Sequence, residues 1–145
     1  MAAPASFNLQ RFIDAQDGIY EVALAEIESG SKESHWMWFV FPQLSALGRS
    51  PTAKFFGLAS IDEARAYLDH PLLGSRLREC VKALLGWSGE RSAEDIFGSI
   101  DAMKLRSSLT LFDEVEPAAL MNDGLVNFFS GERDELTLAL LHRPD

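Results

Sequence analysis

From residue 9 onward, apolar positions recur at intervals of three and four, the repeat that lines one face of an α-helix. Leu9, Phe12 and Ile13 begin such a stripe. It pauses at Asp17–Gly18 and resumes with Ile19, Tyr20, Ala23, Leu24 and Ile27. Gly30 stands where a left-handed residue would close that helix. Leu73, Leu77, Val81 and Leu84 form a longer stripe that ends at Gly86. The boundaries carry their own signals. Ser60 with Glu63 makes a capping box ahead of Ala64–Leu68. His70-Pro71 stops one helix and begins the next. Ser92 precedes a short turn through Ile96–Phe97, and Ile100–Phe112 reads as a helix. Pro117 opens Ala118–Phe129, with Gly124 as a weak point and Gly131 as its stop. Asp134 caps Glu135–Leu141. The stretch from Pro42 to Pro51 reads as a loop. β-branched residues are few, and no alternating run appears. The pattern predicts an all-α, single compact domain of about seven or eight short helices over residues 7–141, with residues 1–6 as a flexible N-terminal tail. Trp36–Phe41 is a continuous apolar run, which periodicity alone assigns neither to a buried strand nor to a helical turn.

Composition adds bounds. The 145 residues are 47% hydrophobic and 24% charged, as in an ordinary globular domain. No run of 18 apolar residues exists, so no membrane span is expected. The opening MAAPASFNLQ has neither a basic nor an apolar stretch, so no secretory leader is expected. The single cysteine, Cys80, precludes an intramolecular disulfide, which points to the cytoplasm. Cys80 lies beside the Leu77–Val81–Leu84 stripe, as a small buried hydrophobe would. A net charge of −9 disfavours nucleic acid as a partner. Against that background residues 31–60 are net positive, with Lys32, Arg49 and Lys54 against Glu33. A small anionic ligand would favour that region, unless connecting loops merely happen to carry these bases. The chain would be a monomer or a homodimer.

Three constellations could carry chemistry. Ser34–Gln43, SHWMWFVFPQ, packs two of the three tryptophans, His35, two phenylalanines and a proline into ten residues. It is either core or the wall of a pocket in which His35, Trp36, Trp38 and Gln43 stack and hydrogen-bond a planar ligand. The second is the predicted helix Ile100–Phe112. There Asp101, Lys104 and Ser108 fall at i, i+3 and i+7 on one face, which Ile100, Met103, Leu109 and Phe112 would turn inward. Ser107, Ser108 and Thr110 are poor helix formers and need a local reason. One reason is a polar pocket in which Asp101, Lys104 and Ser108 act on a ligand that Ser107 helps to orient. The other is a surface Asp101–Lys104 pair with serines bonded back to the preceding turn. The third is the loop Gly48–Lys54, in which Arg49, Ser50 and Lys54 could cradle a phosphate or simply connect elements. No metal set arises from His35, His70 and His142, and no motif calls for a cofactor.

The segments Phe7–Phe12, Ser34–Gln43, Leu47–Ser50, Ala64-x-x-Tyr67-Leu68-x-His70-Pro71, Leu73-Gly-x-Arg76-Leu77, Ile96–Gly98 and Lys104–Phe112 together resemble the DUF1810 family, from about Phe7 to Leu141. The resemblance implies a mainly helical domain and brings no established activity. The chain departs from it at Phe56, where a tyrosine is usual, and around Met121–Asn122. A shorter likeness, Phe12-Ile-Asp-Ala-Gln16, is similar to a helix of the NADAR family, whose members act on ADP-ribose-linked or related N-glycosidic compounds. It implies a hydrolase acting on a nucleotide-like or ADP-ribose-like phosphorylated ligand, with Asp101 placing water and Lys104 holding phosphate. The competing expectation is a non-catalytic protein-interaction module with an acidic helical surface.

Overall fold

The computed structural model describes residues 7–117 and 119–142, so the predicted tail at residues 1–6 lies outside the described residues. Among the described residues ten α-helices follow one another: α1 (Gln10–Gln16), α2 (Tyr20–Glu28), α3 (Met37–Val40), α4 (Pro51–Phe56), α5 (Ile61–Asp69), α6 (Pro71–Leu85), α7 (Ala93–Phe97), α8 (Ser99–Val115), α9 (Ala119–Phe129) and α10 (Glu135–Leu141). The all-α class is as the periodicity predicts. The number exceeds the expectation because of α3 and α4. Trp36–Phe41 resolves as the helical turn α3. The supposed loop before Pro51 holds a 3-10 turn at Ser45–Leu47 and gives way to α4. The reason is local. The Ser50 hydroxyl accepts a hydrogen bond from the Ala53 N–H at 3.1 Å, and Pro51, which has no N–H to strand, opens the helix.

The starts predicted at Ser60, His70-Pro71, Ser92 and Asp134 hold, while the one predicted at Ala118 lies outside the described residues. Ser60 accepts from the Glu63 N–H, and Ser92 and Asp95 form a reciprocal capping box. Imidazole Nδ1 of His70 accepts from the N–H groups of Leu72 and Leu73 at the start of α6. Gly30 closes α2 with φ +73°.

Helix α8 forms the centre and packs against α5, α7, α9 and α10. Ser107 to Asp113 are all buried, so this helix has no solvent face over two turns. That burial explains its hydroxyls. Ser107 and Thr110 donate back to the carbonyls of Met103 and Arg106, at 3.2 and 2.8 Å, and stay small and satisfied between neighbours. Close approach also explains Gly124 in α9, where an added Cβ would stand 3.0 Å from Leu109 Cδ1.

The aromatic tract closes the other side of the core. Trp36 and Phe41 are fully buried and meet the Phe97 ring edge-on, with centroids 6.2 and 6.1 Å away. A buried polar knot ties α1 to α3. The Gln16 amide donates to the Phe39 carbonyl at 2.7 Å and to the Tyr67 hydroxyl at 3.2 Å, and it accepts from Arg76 at 3.1 Å. Between α3 and α4 the chain is pinned by one parallel bridge. The Ser45 N–H reaches the Leu58 carbonyl at 2.8 Å, and the Leu58 N–H reaches the Gln43 carbonyl at 2.9 Å.

Candidate groove over helix α8

On α8, Ile100, Met103, Lys104 and Ser107 share one face, and that face is the floor of a groove of about 1260 Å³. Trp38, Gln43, the Ala46–Ser50 segment and Ala53 form one wall. Asp134, Leu136, Ala139, Leu140 and His142, on and around α10, form the other. The bridge at Leu44–Leu58 holds the first wall. Gly57 makes this possible, because a Cβ there would lie 2.3 Å from Ser45 Cα. The second wall is held by the Thr110 hydroxyl, which accepts from the Asp134 N–H at 3.0 Å, while Asp134 caps α10 through Thr137.

Six predicted residues meet in the groove: Trp38, Gln43, Arg49, Ser50, Lys104 and Ser107. Five others do not line it, Asp101 among them. His35 is exposed. Trp36 is fully buried, and its indole N–H donates to Glu26 at 2.8 Å, so it is core. Lys54 is exposed outside the lining. Ser108 is fully buried, its hydroxyl without a hydrogen-bond partner among the described residues. Ser108 lies about 100° around the helix from Ser107, which turns it from groove to core. The hydroxyl of Ser50 is partly committed, since it caps α4. The Phe12–Gln16 helix likewise supplies core, with Phe12 and Gln16 buried.

Asp101 stands beside the floor rather than in the lining. One oxygen lies 3.2 Å from Lys104 Nζ and the other 2.8 Å from Lys32 Nζ. Burial raises the Asp101 carboxyl, but the hydrogen bond and charge of Lys32, followed by those of Lys104, outweigh it and hold the group below the usual carboxylate range. Lys104 Nζ in turn stands 4.7 Å from the centroid of the Trp38 ring. The predicted Asp101–Lys104 pair therefore exists, and it places a cation on an aromatic wall.

Periodicity missed the apolar lip. Ile100, Met103 and Leu136 are 71%, 64% and 66% exposed, whereas an inward-turning face was expected for the first two. Their signal was an apolar residue on the polar side of its own helix, legible only once the core side of α8 is known. Glu26 was also missed. It accepts from the backbone N–H groups of Glu33 and Ser34, the Ser34 hydroxyl and the Trp36 indole, and so fixes the start of the aromatic tract to α2. Burial raises its carboxyl, yet these bonds prevail and lower it to about 2. Among the described residues no His, Cys, Asp or Glu group could hold a metal ion. None of the described helices is long and apolar enough to cross a membrane.

Comparison with known proteins agrees with this architecture. A conserved hypothetical protein from Mycobacterium tuberculosis, known from its crystal structure, shares 45% sequence identity and superposes with a TM-score of 0.91, covering 95% of this chain and 99% of that one. Among curated proteins none matches the chain. The family described as a protein of unknown function, DUF1810, matches residues 6–141, and the chain belongs to that family.

Proposed function

We propose that the groove over α8 binds a small anionic ligand with a planar or apolar part, of the nucleotide-like phosphorylated class. The observation that carries this reading is Lys104, held by Asp101 and stacked on Trp38 in the floor of a groove with an apolar lip. A cation fixed on an aromatic wall suits a phosphate, and Ile100, Met103 and Leu136 suit the rest of such a molecule. Arg49 adds a second positive charge on the same wall as Trp38. The volume exceeds the ordinary range of small-ligand pockets, so a mononucleotide would fit with room to spare. Binding is favoured over hydrolysis at Asp101. A carboxylate paired with two lysines is a weak base toward water, and Asp134 is committed to the α10 cap. A cytoplasmic setting, without nucleic acid as partner, belongs to the same reading.

Thermal shift against nucleotides, ADP-ribose, sugar phosphates and inorganic phosphate tests it. A ligand at a hundred times its dissociation constant adds about 2.7 kcal/mol of stability. The expected result is a shift by one phosphorylated class that disappears in Lys104→Ala. If no compound shifts the transition, the reading falls. The second reading, an interaction module or homodimer, draws on the exposed lip of Ile100, Met103 and Leu136 and on the burial of Trp36. Sedimentation of the wild type and of Met103→Glu distinguishes it, because a self-association through the lip would be lost in the variant.

A further inference from the structure

Lys104 makes one hydrogen bond among the described residues, to Asp101. An ammonium has three N–H donors, so Lys104 keeps donors for the groove that it lines. With Asp101 as sole companion, however, its charge would be cancelled. The second oxygen of Asp101 belongs to Lys32, at 2.8 Å. The Lys32 side chain is 7% exposed, donates also to the Ser34 carbonyl at 2.6 Å, and stands 5.0 Å from the Trp36 ring centroid. It is outside the groove lining. The Lys104 side chain is 23% exposed. Two cations and one anion leave a net charge of one. The buried cation neutralises the carboxylate, and the more accessible one retains its charge toward the groove.

We infer that the anion subsite of the groove is at Lys104, and that Lys32 is a positioning residue that supplies the subsite with its net positive charge through Asp101. This rests on the reading of the groove as an anion-binding site. It makes a signed demand that a merely structural role does not. Removing Lys32 leaves a neutral Asp101–Lys104 pair and weakens anion binding. Removing the charge of Asp101 leaves two cations and strengthens it. Were the triad only a scaffold, both changes would loosen the site alike. At the separation of two ion pairs, and in partly screened surroundings, one charge changes anion occupancy about threefold or more.

Collisional quenching of Trp38 reads this without a ligand, in a Trp87→Phe background, because Trp36 is fully buried. Iodide reports the local preference for anions, and acrylamide reports access alone. Lys32→Met is expected to lower the iodide-to-acrylamide ratio by about half or more, Lys32→Arg to leave it unchanged, and Asp101→Asn to raise it. The dissociation constant for inorganic phosphate should move in the same order. A flat iodide ratio in Lys32→Met overturns the inference, as does equal loss of ratio in Asp101→Asn. The two readings fail separately. Signed iodide ratios with no phosphorylated ligand bound would remove the ligand class and leave the charge assignment. Ligand binding lost in Lys104→Ala with flat iodide ratios would do the opposite.

Discussion

Glu26 shows how much one side chain can hold. Its two oxygens take four hydrogen bonds from residues 33–36, including the only hydrogen bond of the buried Trp36 indole among the described residues. Glu26→Ala strands that indole N–H and frees the tract that leads into α3, at a cost of about 3 kcal/mol in denaturant unfolding. Glu26→Gln keeps an oxygen for the backbone donors and an amide for the Ser34 hydroxyl, so it costs about 1 kcal/mol. The pH dependence follows from the lowered carboxyl. The folded protein releases this proton at about 2, against an ordinary 4.5. Across that window the unfolded chain binds more protons, so the contribution is complete above about 4.5 and is lost as pH falls through 2. Asp101 contributes in the same direction. Acid titration of unfolding midpoints should be flatter in Glu26→Gln than in wild type. An unchanged slope would mean that Glu26 is not the group responsible.

At the scale of elements, the groove exists because two short segments stand away from α8 at fixed distances. On the first wall this spacing depends on the contact of Gly57 with the Ser45 backbone and on the Leu44–Leu58 bridge. Gly57→Ala is expected to destabilise by about 2 kcal/mol through overpacking and to displace the Gln43–Ser50 wall. Gly74 gives a comparison away from the groove. A Cβ there would lie 2.0 Å from the Leu68 carbonyl oxygen, at the junction of α5 and α6. Gly74→Ala should cost as much stability while leaving the affinity of any groove ligand nearly unchanged in the surviving folded fraction. Equal affinity loss in both variants would show that the wall has no special role. Most helices were legible in sequence because caps and breakers are local: Ser60, His70-Pro71, Ser92 and Asp134 each act within a few residues. Ser50-Pro51 carried the same kind of signal, but Gly48, Ser50 and two prolines within ten residues read first as loop chemistry.

For the whole molecule, Cys80 offers a probe of cooperativity. Its thiol is fully buried on α6, which packs against α2, α5 and α9, and burial pushes it up to about 12. Labelling by a disulfide reagent at pH 8 should therefore be negligible in the native state and stoichiometric in guanidinium, with a rate that tracks global unfolding. Fast labelling under native conditions would reveal a local opening of α6. The all-α class, most helix starts and the aromatic and Lys104 segments were readable from residues alone, because capping and a repeat of three or four act at short range. Which aromatic is core and which is wall was not. Trp36 precedes the four-residue helix α3 and Trp38 lies within it, two residues on, and only packing against Phe97 and Lys104 separates them. The same holds for Ser107 and Ser108, one residue apart on α8. Lys32, Glu26 and the α10 wall join the site across long stretches of chain, through ion pairs and hydrogen bonds that only the closed core brings within reach.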